Sequence, residues 1–253
     1  MPEVLIEKRG AVALLTLNRP EVMNAYNVAL HTALHDAIDE ADKDPSVRAI
    51  VVTGAANEDM ILDGVNRDYG GVLNLRIFES DTPVIGAVNG HAIGIGCTML
   101  LPMDIRVASN KAKFAMPFSR RGIVFDGAAS WFLPRIVGAS QAQKWIVTGE
   151  TFLADEAFRT GLVHELHDTE DVLPRAMAIA EDIATNCAPV SMALNKQLLR
   201  ASLLGDLGYG GGPMGAHMEE SVHLTERFQS ADCMEGVKSF FEKRAPKFAA
   251  NEE

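Results

Sequence analysis

The sequence predicts an α/β fold, and three observations carry that reading. Short apolar runs bounded by turn residues alternate with helical patterns through the first half of the chain. From about Gly138 onward the pattern is mainly helical. Hydrophobic residues make up 47% of the 253 and charged residues 23%, which supplies a sizeable core and excludes a disordered or collagen-like chain.

The elements follow in order. Residues 4–8 and 11–17 read as two strands of a hairpin around Arg9-Gly10. Asn18-Arg19-Pro20 breaks that pattern. Leu30, Leu34, Ile38 and Ala41 then recur at helical spacing, with Ala37 beside them, and predict an amphipathic helix over 27–42. Residues 48–53 form a continuous apolar run, as a buried strand does, and 83–89 and 104–108 read alike. Helices are expected at 140–148, 154–160, 173–185, 189–204, 214–228 and 233–243. The glycine-rich stretch 205–215 between two of them reads as a flexible loop.

Composition narrows the function classes. A formal charge of −11 argues against a nucleic-acid surface, while leaving room for an anionic ligand at a local basic cluster. The longest apolar stretches, such as 93–102, are too short and too interrupted by glycine to cross a bilayer. The start, Met-Pro-Glu-Val, lacks the basic and apolar regions of a secretory signal. Three widely spaced cysteines, Cys97, Cys187 and Cys233, fit a reducing cytoplasm better than disulfides or structural zinc. His31 and His35 lie one helical turn apart, but no Glu follows His31 as in HExxH. A solvated or partly buried pair is expected, and no metal.

The most informative stretch is Asn89-Gly90-His91-Ala92-Ile93-Gly94-Ile95-Gly96-Cys97-Thr98. A strand runs into a glycine-spaced turn and then into a helix expected to begin near Cys97. Glycine permits a close ligand approach, and unpaired N–H groups at a helix start suit an oxyanion. The same spacing also fits a tight strand–helix turn without a ligand. It is not GxGxxG, so a dinucleotide fingerprint is not supported.

Several segments in order resemble the crotonase (enoyl-CoA hydratase/isomerase) family. Asn18-Arg19-Pro20-Glu21 with Asn24-Ala25 looks like its "NRP…NA" turn, and residues 87–94 look like its "AVNGxAxGGG" segment. Val147-Thr148-Gly149-Glu150, Ala154-Asp155-Glu156-Ala157 and Gly161-Leu162-Val163 are similar to its "TG…A.EA…GLV" pattern. Residues 235–248 resemble its C-terminal helix and tail.

The resemblance implies a spiral of ββα units in a core over 1–195, with a C-terminal helical trimerisation region over 196–253. It implies an acyl-CoA thioester as substrate, with coenzyme A part of that substrate and no separate cofactor, and a homotrimer or dimer of trimers. It places the thioester oxygen between two main-chain N–H groups. One maps onto Val65, in Asp63-Gly64-Val65-Asn66, and the other onto Ile95, between Gly94 and Gly96. Asn24, Ala25, Asp63, Gly64, Gly94, Gly96, Thr98, Phe118, Trp131 and Lys243 are the expected substrate-binding positions. Arg244 and Lys247 join Lys243 as candidates for the coenzyme A phosphates, or form an exposed basic tail.

The chain departs from the hydratases at their two glutamates, where Thr98 and Phe118 stand. Hydration needs a group to activate water and an acid to return a proton, so that pair is absent. Asp126, before Gly127, resembles the position of the single proton-shuttling Glu in delta-3,delta-2-enoyl-CoA isomerases. Apolar Val124, Phe125 and Trp131 nearby would raise its pKa. Double-bond isomerisation is therefore expected ahead of hydration. Aryl-CoA dehalogenases of the same family carry an Asp here as nucleophile, and a silent coenzyme A-binding protein is a further alternative. From local sequence alone, Asp126 also reads as a helix N-cap. Thr98 could cap a helix start, His91 could line the acyl pocket, and 208–215 could gate it.

Overall fold

The computed structural model describes residues 2–19, 28–53, 60–62 and 65–248. β1 (Val4–Arg9) and β2 (Val12–Leu17) form the expected hairpin, with Val4 opposite Leu17 and Arg9 opposite Val12. α1 (Val28–Lys43), β3 (Ala49–Thr53), the hairpin β4 (Met60–Leu62) and β5 (Val65–Arg67), and α2 (Tyr69–Glu79) follow. β6 (Val84–Val88) leads through β7 (Ala92–Ile93) into α3 (Ile95–Thr98), then β8 (Ile105–Ser109) and β9 (Lys113–Ala115). α4 (Ala129–Val137), α5 (Ala139–Thr148), β10 (Thr151–Leu153), α6 (Ala154–Arg159), β11 (Glu165–His167) and α7 (Val172–Asn186) complete the core. α8 (Pro189–Leu204), α9 (Gly212–Phe228) and α10 (Ala231–Glu242) close the chain.

The main sheet has the order β1-β2-β3-β6-β8-β11, and a smaller one the order β10-β9-β7. Only β1–β2 is antiparallel in the main sheet; the later pairings are parallel. Parallel neighbours need crossover connections, and these carry the helices. Both faces of the sheet are covered, which is why β2, β3 and β6 read as continuous apolar runs. In β2 the alternation sends Ala13, Leu15 and Leu17 to the larger core, with Leu30, Leu34 and Ile38 of α1. Val12 and Leu14 face the other way and meet Ala176, Met177 and Ala180 of α7.

Two details differ from the sequence expectations. β10 and β11 interrupt the helical half; strands of three residues are too short for a period-two pattern to register. α9 begins at Gly212, so part of the glycine-rich stretch is helix. The boundary expected at 195/196 falls inside the continuous α8. Just past it, Lys196 donates to Asp104 and Arg200 to Phe78 O and Asp81, which ties the middle of α8 to the core.

Candidate active site

The glycine-spaced turn has a concrete geometry. β7 pairs with β9, Ala92 against Phe114 and Ile93 against Ala115, and the Gly94 N–H extends this pairing by donating to Ala115 O at 2.8 Å. Gly94 then takes φ +61 and ψ −126, which glycine adopts freely. This turn starts α3 at Ile95, two residues before the expected Cys97. The N–H groups of Cys97 and Thr98 return to Gly94 O at 2.9 and 3.0 Å. The Ile95 and Gly96 N–H groups stand in the first turn, with no acceptor in their own helix. Ile95 is a regular helical residue here, so its β-branched side chain is accommodated.

Thr98 ends α3 and is buried, so it does not cap the helix start. Its Oγ1 donates to Asp126 Oδ1 at 2.6 Å. That contact bears on the capping reading of Asp126. α4 starts at Ala129, its N-cap is Ala128 at φ 53, and no side chain caps it. Asp126 accepts the Ala129 N–H only through its main-chain oxygen, at 3.1 Å. The carboxylate turns away from α4 toward α3, and the N-cap reading is corrected. Burial raises the pKa of the half-buried Asp126; the Thr98 hydroxyl opposes the rise and the Asp68 charge adds to it.

Asp68 completes this corner and was not singled out from sequence. It caps α2, accepting the Gly71 N–H, and also accepts the Gly127 N–H at 3.1 Å. The pattern Asp68 before Tyr69-Gly70-Gly71 and an apolar run is a readable N-cap signal. Gly70 marks where the groups converge. A Cβ on Gly70 would collide with Ile95 Cδ1, and would lie 3.1 Å from Asp68 Oδ1 and 3.4 Å from Asp126 Cγ. The Ile95 side chain and the Asp126 carboxyl therefore border one small space beside α2.

Val65 heads β5 opposite Leu62. Asn24, Ala25, Asp63 and Gly64 lie outside the described residues. Phe118 is 8% exposed and packs in the main core. Trp131 lines a different space from the one beside Gly70. It packs edge-on to Phe78 and Phe132, lies under the Arg135 guanidinium, and lines a separate cavity of about 260 Å³ between α4 and α8. Trp131 lies within α4, on the side that faces α8. Lys243 is the exposed C-cap of α10, and the neighbouring Arg244 is held by Glu235 and Glu242. His91 is exposed. His31 is buried edge-on against Tyr69, with its pKa pushed down to about 4 by burial. Among the described residues, no three His, Cys, Asp or Glu are grouped to hold a metal, and no helix is long and apolar enough to cross a membrane.

Comparisons with known proteins agree with this architecture. The Enoyl-CoA hydratase/isomerase family profile matches residues 7–251. An enoyl-CoA hydratase of Alternaria alternata is 38% identical, over 94% of this chain and 82% of that protein. A 1,2-epoxyphenylacetyl-CoA isomerase of Escherichia coli is 30% identical, over 98% of both. The crystal structure of a probable enoyl-CoA hydratase/isomerase from Mycobacterium abscessus superposes with a TM-score of 0.89 at 35% identity, covering 98% of this chain and 99% of that one. With its parallel sheet, second small sheet and C-terminal helices, the chain belongs to the enoyl-CoA hydratase/isomerase, or crotonase, family of enzymes.

Proposed function

We propose that this enzyme moves the double bond of an enoyl-CoA thioester, with Asp126 as its one acid–base residue. The observation that carries the reading is the Asp126 carboxyl, bonded to Thr98 and sharing the space above Gly70 with Ile95. The Ile95 N–H, with that of Val65, polarises the thioester carbonyl. Asp126 takes a proton from C2 of a 3-enoyl ester, giving a dienolate whose charge rests on the thioester oxygen. The protonated Asp126 then returns the proton to C4, leaving the double bond between C2 and C3. A raised pKa suits a base that must also be an acid. Thr98 and Phe118 occupy the two positions of the hydratases' glutamates, which supports isomerisation ahead of hydration.

We read the site as cytoplasmic, on three free cysteines, and the assembly as a trimer or dimer of trimers. Exposed Leu203, Phe228, Phe240 and Phe241 on α8–α10 support the oligomerisation role proposed for 196–253. Turnover of 2-enoyl- and 3-enoyl-CoA esters by wild type and Asp126→Asn tests the mechanism. Isomerisation by wild type alone is the expected result. Hydration of 2-enoyl esters at equal rates by both proteins, with 3-enoyl esters untouched, would overturn it. A covalent adduct on Asp126 after rapid quench would point instead to a nucleophile.

A further inference from the structure

We propose that Asn74 is a positioning residue, which sets the aim of the Asp126 carboxyl by holding the chain on both sides of the Thr98–Asp126 hydrogen bond. This rests on the role of Asp126 proposed above. Asn74 lies in α2, fully buried, and its side-chain N–H₂ donates to Thr98 O at 2.9 Å and to Gly127 O at 2.7 Å. One carbonyl belongs to the residue whose hydroxyl binds Asp126; the other belongs to the residue that follows Asp126. Asn74, Thr98, Asp126 and Gly127 thus form a closed hydrogen-bonded ring, and a shift at any member loosens the 2.6 Å bond.

Two further observations point to the donors as the reason for this side chain. Asn74 Oδ1 is buried with no hydrogen-bond partner, an arrangement that costs stability and that an apolar residue would avoid. Gly127 is also held on its other side, since its N–H donates to Asp68 Oδ1. The peptide groups before and after Gly127 are thus fixed by the same helix and its cap. Gly127 itself is required, because a Cβ there would lie 2.6 Å from Asn74 Nδ2. Among the described residues, the titratable groups facing Asp126 are Asp68 ahead of α2 and Cys97 on α3.

The test uses the full chain with Asn74→Leu, which removes both donors, and Asn74→Ser, which can keep one. Carbon-13 NMR titration of the Asp126 carboxyl, assigned by its loss in Asp126→Asn, is read beside kcat and KM on enoyl-CoA esters. In folded Asn74→Leu, Asp126 should titrate further above the ordinary carboxylate range, because a loosened Thr98 bond opposes the effect of burial less. kcat should fall by about 10²-fold with KM within about twofold, as a misplacement of about 1 Å would produce. Asn74→Ser should fall between. An unchanged Asp126 titration in a folded variant overturns the inference whatever happens to kcat, and so does failure of both variants to fold. If the titration moves but Asp126→Asn keeps full turnover, the positioning stands and the assignment of Asp126 as base falls.

Discussion

The Thr98 hydroxyl donates to Asp126 Oδ1 across 2.6 Å, joining the end of α3 to the segment before α4. In the sequence these are a threonine at a position where the family's hydratases carry a glutamate, and an aspartate that reads either as an acid–base residue or as a helix cap. In the fold they are one unit, and the raised pKa of Asp126 is the balance between burial and this bond. Four outcomes follow from the geometry.

Asp126→Asn should lower turnover by about 10²–10⁴-fold, the usual worth of a placed acid–base group. Its effect on stability should be opposite. A carboxyl whose folded pKa is raised contributes stability below its unfolded pKa and loses it as pH rises through the folded value. At neutral pH asparagine removes that cost while still accepting from Thr98. Thermal melts should show Asp126→Asn above wild type at neutral pH, with the gap closing as the pH falls below the ordinary carboxylate range.

Thr98→Val should move the acid limb of the kcat profile to higher pH. The hydroxyl favours the charged carboxylate, so its loss lets burial raise the Asp126 pKa further. A pH–rate profile checks this, and a limb that stays fixed or moves down would separate Thr98 from the proton-transfer step.

Gly127→Ala should cost about 3 kcal/mol, combining a left-handed backbone with overpacking against a buried side chain. Gly127 has φ +67 and stands against Asn74 and Thr98. Gly122→Ala is the control: φ is +73 with nothing within 4 Å, so only the backbone cost of about 1 kcal/mol applies. Urea unfolding of both variants measures the difference.

Arg106→Met should destabilise the chain by about 3 kcal/mol without moving the pH profile of turnover. Arg106 is 5% exposed, with its pKa pulled down to about 10 by burial. Its guanidinium donates to the carbonyls of Leu162, Leu100 and Met103, and methionine would leave all three without that partner. Denaturation midpoints beside pH–rate profiles decide this.

Much of the scaffold is local in origin. Leu30, Leu34 and Ile38 mark α1 by spacing, and the apolar runs of β3 and β6 mark buried parallel strands, because burial on both faces leaves no polar alternation. The C-terminal helices are equally plain, since amphipathic periodicity over 12 to 17 residues is a long signal. Strands of two or three residues such as β7, β9 and β10 carry no such signal. They form because a neighbour supplies the hydrogen bonds.

The site divides in the same way. By itself the sequence determined the family resemblance, the glycine turn before Ile95, the missing glutamates and the presence of one carboxylate at Asp126. Only the tertiary structure decided where that carboxylate points. A side chain's aim depends on partners distant in the chain, here Thr98, Asp68 and Asn74, brought together by the packing of α2 against α3. It also set Trp131 against Phe78, Phe132 and Arg135 beside the cavity between α4 and α8, contacts that no local pattern specifies.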